Sequence, residues 1–384
     1  MPWSEMTAMS QRKEFVSLAR TEGANIVRLC ERFRISRKTA YKWLARAAGE
    51  APPDWADDRS RRPLSSPLRC APAVEEAVLA VRQAHPAWGG RKIRRRLQMD
   101  ACPEVPAAST ITSLLRRHGL IDPAQSQKRG PMTRFERQRP NELWQMDFKG
   151  LLRTATGPCH PLTVVDDHSR YAVCIQACPD QCAATVQPAL RGVFRRYGLP
   201  ERMLMDNGSC WGRVESAWTL LEVWLIRLGI AISHGRPCHP QTQGKCERFN
   251  RTLKAEVFSG HNFGDLAACQ RHFERWRHCY NHERPHEALG LEVPASRYRV
   301  SVFAYPERLG PIEYLEGDPV RRVGLAGYIS WRGRRYQVGR AFTGQPVALR
   351  PTTREGSWEV YYCHQRVATI EERTGGCKQQ DHDY

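Results

Sequence analysis

Residues 239–254 read HPQTQGKCERFNRTLK, and this stretch is the most informative part of the chain. Turn-forming residues lead into a helical pattern that carries a carboxylate, Glu247, in its first turns. At about 100° per residue, Arg251 and Lys254 lie on the same side of this helix as Glu247. A separate apolar stripe is formed by Phe249, Leu253 and Val257. The pattern predicts a helix with a core face and an acid-plus-base face, although a solvated face with salt bridges has the same spacing.

An aspartate inside a strand pattern is the second informative feature. Residues 143–149, LWQMDFK, alternate apolar and polar side chains, which predicts a half-buried strand. Aspartate is depleted in strand interiors, so Asp147 indicates a compensating role such as metal ligation. A solvent-facing strand residue is the alternative.

A second aspartate stands at the end of a short apolar strand pattern. Residues 202–206, RMLMD, are followed by Asn207 and Gly208, which favour a turn. Open α/β sheets bind ligands at the carboxyl ends of their strands, so Asp206 is a second candidate ligand. An ordinary turn aspartate is the alternative.

Taken together, Asp147, Asp206, Glu247 and the string His-Pro-Gln-Thr-x-Gly-Lys-x-Glu-Arg resemble the catalytic core of retroviral-type integrases and of the insertion-sequence transposases that share it. The resemblance extends along residues 140–300. Residues 280–290, YNHERPHEALG, also resemble the segment that closes such transposase cores. The resemblance implies that the two aspartates and the glutamate form a metal-binding catalytic triad.

The order of the predicted elements matches the same family. Strand patterns at 143–149, 161–166 and 171–177 precede alternating helices and strands: helix 182–197, strand 202–206, helix 214–228, strand 230–234 and the Glu247 helix. Three antiparallel strands followed by this alternation predict a mixed sheet with helices on its faces. That architecture is the RNase H-like fold that the family uses.

Three carboxylates suit chemistry on a phosphodiester. Cleaving and joining DNA strands are in-line displacements, in which two Mg²⁺ ions activate the attacking oxygen and stabilise the leaving one. Mg²⁺ prefers oxygen ligands and keeps several waters. We therefore expect two Mg²⁺ (or Mn²⁺) ions at the triad and no nucleophilic Ser or Cys.

Basic residues of the Glu247 helix are candidates for contact with a DNA end. Arg251 and Lys254 lie one and two turns beyond Glu247, where they can neutralise phosphates. Lys245 and Arg248 are further candidates, with a solvated basic face as the alternative. His234 and His239 flank the segment and are given no catalytic role, because a His at a strand end or before Pro is more often structural.

The charge of the chain agrees with a nucleic-acid partner. Lys and Arg exceed Asp and Glu by 59 to 40, a formal net charge of +19. Residues 1–140 carry 27 Lys and Arg against 14 Asp and Glu, whereas residues 141–300 carry 20 against 16 and residues 301–384 carry 12 against 10. Most of the charge that attracts DNA is therefore predicted to be N-terminal, and binding is expected to weaken at high salt.

A first helical module is predicted over residues 1–48. A short helix at 26–33 and a turn lead to Ser36, which has the chemistry of an N-cap for a basic helix at 37–44. This order predicts a helix-turn-helix, whose second helix enters the major groove; a generic helical hairpin is the alternative. The candidate DNA contacts are Arg37, Lys38, Thr39 and Lys42.

A second module follows a Pro- and Arg-rich stretch, residues 49–73, that predicts a linker. Over residues 74–121 the pattern gives a helix at 74–83, a break at 88–90, a basic helix at 91–98 and a helix at 110–118 capped by Ser109. This order again predicts a helix-turn-helix, and transposases of the resembled family often carry two in tandem. Residues 122–140 predict a basic linker with arginines that can follow a DNA backbone: Arg134, Arg137 and Arg139.

In residues 301–384, apolar and polar side chains alternate with a period of two residues. Patterns at 327–331 and 335–338 flank a turn and predict a hairpin, and residues 345–350 and 358–363 alternate similarly. Short strands at this spacing suggest a small β-barrel. Integrase-like proteins often end in an SH3-like barrel that binds DNA. The candidate contacts are Arg332, Arg334 and Arg335, with an exposed basic hairpin that favours solubility as the alternative.

Several absences narrow the class of protein. No run approaches 18 apolar residues and residues 1–5 have no signal-peptide character, so we expect a cytoplasmic, bacterial, nucleoid-associated protein without a membrane partner. The 14 cysteines form no Cys-x-x-Cys pair or zinc-finger spacing and are interpreted as reduced thiols. The zinc module of retroviral integrases is not evident, which favours the insertion-sequence branch.

These features predict a multidomain DNA transposase. It combines N-terminal α-helical helix-turn-helix modules, an α/β RNase H-like mixed-sheet core over residues 141–300 and a C-terminal small β-barrel. The expected partners are the terminal inverted repeats and the target DNA, on which a homo-oligomer assembles. A catalytically inactive DNA-binding repressor or bridging protein, and a nuclease of the same fold that cleaves without joining, are the alternatives.

Overall fold

The computed structural model describes residues 7–49, 52–58, 70–122, 136–205, 218–234, 244–258, 261–372 and 377–379. The chain divides into two compact units, residues 1–69 and residues 70–384. The candidate ligand Asp206 and the first residues of the 239–254 stretch lie outside the described residues. Among the helices that are described, none is long and apolar enough to cross a membrane.

Three helices form the first unit: α1 (Ala8–Ala19), α2 (Ile26–Arg32) and α3 (Arg37–Arg46). They pack around a small core that includes Phe15, Cys30 and Trp43. The hydroxyl of Ser36 accepts a hydrogen bond from the backbone N–H of Thr39, so the predicted N-cap is confirmed. Helix α1 was not predicted, because its apolar residues show little helical periodicity. Part of the predicted linker also packs here, since Trp55 joins this core and Ala56 is buried.

The second unit opens with three more helices: α4 (Pro72–Ala84), α5 (Gly90–Met99) and α6 (Ala108–Arg117). Trp88, Ile93, Ile111 and Leu114 form their shared core. The predicted cap of α6 is wrong. Ser109 is the second residue of the helix, and Ala107 occupies the N-cap position without a side-chain hydrogen bond.

A six-stranded mixed sheet forms the centre of the second unit. Its strands are β1 (Trp144–Phe148), β2 (Leu152–Thr154), β3 (Gly157–Asp166), β4 (Ala172–Cys178), β5 (Arg202–Met205) and β6 (Ala231–His234). The order across the sheet is β4-β3-β1-β5-β6, and β2 forms a hairpin with the start of β3. The pairs β1–β3 and β3–β4 are antiparallel, whereas β1–β5 and β5–β6 are parallel. The predicted mixed sheet is confirmed; the three-residue β2 was not predicted.

Helices cover both faces of this sheet. They are α7 (Ala183–Tyr197), α8 (Leu220–Arg227), α9 (Gly244–Leu253), which continues into a π-helical turn (Lys254–Phe258), and α10 (Leu266–His282). The apolar side chains of β1 pack with α7 and α8, whereas α9 and α10 share a core with β3 and β4. The alternation in β1 therefore directs its polar residues toward the α9 side.

The start of α8 shows how local sequence sets an element boundary. Thr219 and Glu222 form a capping box, in which each side chain accepts a hydrogen bond from the other residue's backbone N–H. Helix α8 therefore begins at Leu220, within the helix predicted over 214–228, whose first residues lie outside the described part of the chain. A short helix, α11 (Pro294–Arg297), follows α10.

The C-terminal region is an antiparallel sheet. Strands β7 (Val320–Arg322), β10 (Pro346–Pro351), β11 (Ser357–Tyr362), β12 (Gln365–Glu371) and β13 (Cys377–Gln379) pair in the order β13-β12-β11-β10-β7, and β8 (Tyr328–Trp331) pairs with β9 (Arg334–Gln337). The predicted hairpin is confirmed: Trp331 pairs with Arg334, and Arg332 and Gly333 form its turn with positive φ angles of 45° and 78°. Between the described strands the hydrogen bonds form an open path, so a closed barrel stays a prediction.

Helices α5 and α6 meet at Gly90, and this contact generates a prediction. A Cβ at position 90 would lie 2.5 Å from the Ala108 carbonyl oxygen and from the Thr112 hydroxyl. We expect Gly90→Ala to lower the free energy of unfolding of the second unit by about 1–3 kcal/mol, because backbone atoms must move apart. Urea unfolding followed by circular dichroism measures the change.

The matched control is Gly192→Ala in α7, where a Cβ meets nothing within 4 Å. It should be neutral or stabilise by up to about 1 kcal/mol, because alanine favours the helix. Equal stabilities for the two variants would contradict the close approach of α5 and α6.

Candidate active site

The candidate site lies where α9 crosses the polar side of β1. Asp147 is flanked in the strand by two buried residues, Met146 and Phe148, and its own side chain is half-buried. Cys246 and Asn250 of α9 are buried against the sheet, whereas Glu247 is exposed. Asp147 therefore lies on a strand that the helix carrying Glu247 covers.

A direct hydrogen bond connects the two elements. The Asn250 side-chain amide donates to Asp147 Oδ2 at 2.7 Å. The Thr163 hydroxyl of β3 lies 3.0 Å from the Asp147 carbonyl oxygen and 3.2 Å from Asn250 Oδ1. Asn250 is only 4% exposed, so its amide is fixed in a dry environment. This residue was not predicted; its position three residues after Glu247, just under one helical turn on, was the available signal.

A second set of contacts fixes the first turn of α9. The backbone N–H of Cys246 donates to Gln145 Oε1 at 3.3 Å, and Gln145 Nε2 donates to Asp167 Oδ1 at 2.8 Å. The Lys245 ammonium lies 2.5 Å from the same carboxylate oxygen, and the backbone N–H of Arg137 donates to its other oxygen at 2.9 Å. The N-terminal end of α9 is thus held to β1 and to the loop after β3.

Lys245 consequently has a structural partner as well as its candidate role on DNA. Burial lowers the pKa of Lys245, and Asp167 opposes that shift. The side chains of Lys245 and Asp167 are 19% and 4% exposed, so the ion pair is largely shielded from water. Contact between Lys245 and a phosphate would have to compete with this pair.

The other candidate residues of α9 lie on its exposed side, as predicted. Glu247, Arg251 and Lys254 are exposed, and the predicted apolar stripe of Phe249, Leu253 and Val257 is buried. Arg248 is exposed and lies 3.9 Å from Glu287. The regular helix ends at Leu253, so the period of 3.6 residues that placed Lys254 beside Arg251 stops where the π-helical turn begins.

Strand β5 lies directly beside β1. The parallel register pairs Trp144 with Met203 and Gln145 with Leu204. Asp206 follows Met205, the last residue of β5, in the sequence. The structure therefore places β5 beside the strand that α9 covers, while Asp206 itself lies outside the described residues.

A buried contact between a histidine and a glutamate supports the neighbouring strand end. His234, which pairs with Met205 across β5 and β6, places Nε2 at 2.7 Å from Glu222 Oε1. The two side chains are 3% and 0% exposed. This contact fits the structural role expected for His234, and it holds α8 against β6.

The donor set suits a hard divalent cation. Asp147, Asp206 and Glu247 offer carboxylate oxygens, the ligands that Mg²⁺ prefers. The thiol of Cys246 in α9 is buried beside Thr163 and Asn250, 3.7 Å and 3.9 Å from their polar atoms. Carboxylate ligands together with a buried thiol favour magnesium or manganese over a metal that prefers sulfur ligands.

The candidate DNA contacts in the first unit lie on α3. Arg37, Lys38 and Lys42 are exposed, and the ammonium of Lys42 lies 4.5 Å from the ring centroid of Trp43. Thr39 is half-buried, with its hydroxyl 2.9 Å from that of Ser36. Its side chain therefore contributes to the helix cap.

The basic hairpin of the C-terminal region is exposed at Arg332, Arg334 and Arg335. Arg332 pairs with Glu372 at 3.0 Å and lies over the ring of Trp358, and Arg334 donates to the Glu372 carbonyl oxygen. Two of the three candidate contacts therefore also hold the hairpin to Glu372, the residue that follows β12.

Comparisons with known proteins agree with this arrangement. Residues 137–240 and 228–294 match models described as an integrase core domain. Together these two matches span residues 137–294. Residues 318–378 match the C-terminal domain of IS481 family transposases, and residues 39–115 match a homeodomain-like domain. The resemblance to insertion-sequence transposases, the RNase H-like core and the helix-turn-helix character of the N-terminal region are thereby confirmed.

Relatives support the same assignment. The chain is 29% identical over 245 residues to a protein of insertion element IS407 from Burkholderia multivorans, covering 61% of this chain and 86% of that protein. It is 25% identical over 314 residues to the transposase InsD for insertion element IS2 of Escherichia coli, covering 73% and 93%. The HTLV-2 integrase catalytic core, solved in complex with magnesium, aligns with a TM-score of 0.32 at 14% identity over 42% of this chain and 99% of that one. That structural likeness is too weak to carry a conclusion.

The contact between Asn250 and Asp147 in the integrase core generates a pH-dependent prediction. In Asn250→Asp, like-charge repulsion raises the folded-state pKa of the carboxylate pair above the ordinary value of about 3.9. The unfolded chain still ionises at the ordinary pKa, so the variant loses stability as the pH rises from about 4 to about 7, by about 1.4 kcal/mol for each unit of pKa increase. Urea unfolding across this range gives the profile.

Asn250→Ala is the control for that profile. It loses one hydrogen bond to a charged group, worth about 1.5–3 kcal/mol, and its deficit should change much less between the two pH values. The same pH dependence in both variants would show that position 250 does not face Asp147.

Proposed function

We propose that this protein is a DNA transposase that cleaves the ends of an insertion sequence and joins them to target DNA in a Mg²⁺-dependent reaction. Asp147, Asp206 and Glu247 are the proposed catalytic and metal-binding residues. The observation that carries the proposal is the hydrogen bond from Asn250 to Asp147, because it ties the Glu247 helix to the strand of the first aspartate within an integrase core.

The parallel pairing of β1 and β5 supports the inclusion of Asp206. Gln145 is in register with Leu204, so two further residues along each strand lead to Asp147 and Asp206. A carboxylate in the last residues of β1 and one that follows the parallel β5 lead to the same carboxyl-end edge of the sheet, which is where α/β folds bind ligands. Glu247 enters this edge from α9.

The proposed roles of the residues follow from these contacts. Asp147, Asp206 and Glu247 hold Mg²⁺, with two ions expected. When bound, the ions activate the attacking hydroxyl and stabilise the leaving oxygen. Asn250 fixes the orientation of the Asp147 carboxylate, and the pair of Lys245 and Asp167 fixes the N-terminal end of α9. Fixed carboxylates lower the cost of assembling the reacting groups.

DNA is the proposed partner. The helix-turn-helix modules are proposed to bind the terminal inverted repeats, with Arg37, Lys38 and Lys42 exposed on α3 for the major groove or its phosphates. Arg251 and Lys254 are proposed to hold the DNA end beside the carboxylates, and the basic hairpin of β8 and β9 to contact DNA from a C-terminal barrel. Two ends must be joined, so we propose a homo-oligomer on DNA, in the cytoplasm at the nucleoid.

Substitution of the carboxylates tests the chemistry. Asp147→Asn, Asp206→Asn and Glu247→Gln should each abolish strand joining and leave DNA binding nearly unchanged, because metal ligands are lost while the basic surface stays. Labelled element ends incubated with purified protein and Mg²⁺ are scored for cleaved and joined products. Glu313→Gln, an exposed glutamate in the C-terminal region, is the matched control and should stay active.

Full joining by any triad variant would overturn that residue's assignment. Cleavage without joining by the wild-type chain would instead identify a nuclease, and specific binding without either product would identify a repressor or bridging protein.

Arg251 and Lys254 provide a second test. Replacing both with Gln should reduce the slope of log binding constant against log salt by roughly one to two units, because two phosphate contacts are lost. Joining should also slow, since a displaced phosphate is penalised steeply at an in-line centre. The matched control is Arg271→Gln with Arg275→Gln, which removes the same charge from the exposed side of α10. Equal slopes in the two double variants would indicate that Arg251 and Lys254 are ordinary solvated surface residues without a DNA contact.

A further inference from the structure

A cluster of metal-ligating side chains lies away from the candidate active site. His85, Cys279 and Glu283 each present one ligand atom, and the three atoms lie within 4.8 Å of one another. His85 is the C-cap residue that follows α4, whereas Cys279 lies in the last turn of α10 and Glu283 is the C-cap residue of that helix. The cluster therefore bridges the three-helix module of α4–α6 and the integrase core, within the second unit.

The surrounding structure holds each of the three side chains in place. The His85 ring stacks on Trp88 with ring centroids 3.7 Å apart and an interplanar angle of 7°, and Trp88 is 1% exposed. Cys279 packs against the apolar core of α4–α6. Cys279 and Glu283 are four residues apart at the end of one helix, and the backbone N–H of Glu283 donates to the Cys279 carbonyl oxygen at 2.9 Å. All three residues are half-buried.

We propose that His85, Cys279 and Glu283 form a zinc site that fastens the α4–α6 module to the integrase core. An imidazole nitrogen, a thiolate sulfur and a carboxylate oxygen are all ligands that Zn²⁺ accepts, with water as the fourth. Zinc–sulfur and zinc–nitrogen bonds of about 2.3 and 2.0 Å place donor atoms roughly 3.5 Å apart around one ion. Movement of the side chains by about an ångström is enough to close the cluster.

Neighbouring charges set the strength of this site. Glu283 Oε2 already accepts from Arg96 at 3.0 Å, and Glu283 Oε1 lies 3.6 Å from His278. A carboxylate has two oxygens, so one can stay with Arg96 while the other turns to the metal. Arg96 and Arg284 oppose a cation, whereas Glu256 and Glu283 favour one, as their opposite effects on the His85 pKa show.

The protonation states indicate how binding depends on pH. Burial lowers the pKa of His85, so its imidazole is neutral near pH 7, as a metal ligand must be. Burial raises the pKa of the Cys279 thiol to about 12, and Glu283 adds to that shift. A metal bound through the Cys279 sulfur therefore displaces the thiol proton.

Cobalt absorption tests the site in the full chain. Under reducing conditions, Co²⁺ replaces Zn²⁺ and gives a thiolate charge-transfer band only when a cysteine sulfur is a ligand. The titration uses a Glu247→Gln background, so that the carboxylates of the active site contribute little. We expect one equivalent of Co²⁺ with this band, displacement of the ion by one equivalent of Zn²⁺, and a higher Tm with Zn²⁺.

Two ligand variants and one control complete the experiment. Cys279→Ser should abolish the band, and His85→Gln should weaken binding by at least about tenfold. Cys363→Ser, a half-buried cysteine in the C-terminal sheet, should change neither. Absence of the band in the parent chain, or its persistence in Cys279→Ser, would overturn the proposal. Neither result bears on the triad, because the proposed function is scored by joined DNA products.

Discussion

The hydrogen bond from the Asn250 amide to the Asp147 carboxylate is the contact on which the arrangement of the core depends. It joins the central strand of the sheet to α9, and the Thr163 hydroxyl supports it from the next strand. A half-buried aspartate in a strand is unfavourable unless its charge is compensated, and an amide donor at 2.7 Å supplies part of that compensation. The same bond determines where Glu247 emerges, because the two residues are less than one helical turn apart.

The excess of basic residues serves two purposes. Several cations that the composition assigns to DNA attraction are engaged inside the second unit: Arg95 pairs with Glu292 at 2.7 Å, Arg96 with Glu283, and Arg284 with Glu256 at 3.0 Å. Lys92 lies on α5, as Arg95 and Arg96 do, and burial lowers its pKa to about 8. One side of the basic helix α5 therefore faces the core, while Arg91 and Arg94 remain exposed.

Much of the sheet could be predicted from the sequence because strand and helix periods are local signals. The strand around Asp147, the apolar β5 and the two faces of α9 are present as predicted. The predicted half-burial of β1 is wrong at Gln145, which is 3% exposed because α9 covers the polar side of the strand. The Ser36 cap was predictable for the same reason, since it is one side chain acting on a backbone three residues away.

The remaining features depend on contacts between distant segments. In the sequence Asn250 is an ordinary polar residue, and its role depends on its contact with Asp147 of β1. His85 approaches Cys279 only because α4–α6 packs on α10. Serine is a residue type that often occupies the N-cap, but α6 already begins at Ala108, one residue before Ser109. Strand β2 has three residues and exists through its pairing with β3.

The π-helical turn from Lys254 to Phe258 changes the phase of the helix that carries the candidate site. In a regular α-helix, residues at the same helical spacing would stay on one side of the helix along its whole length. Here the wider turn rotates the later residues, so that Glu256 accepts from both Arg284 at 3.0 Å and the Trp276 indole at 2.9 Å. One continuous helical segment thus serves two surfaces: Glu247 is exposed on one of them, and Glu256 anchors the far end to α10 and to Arg284.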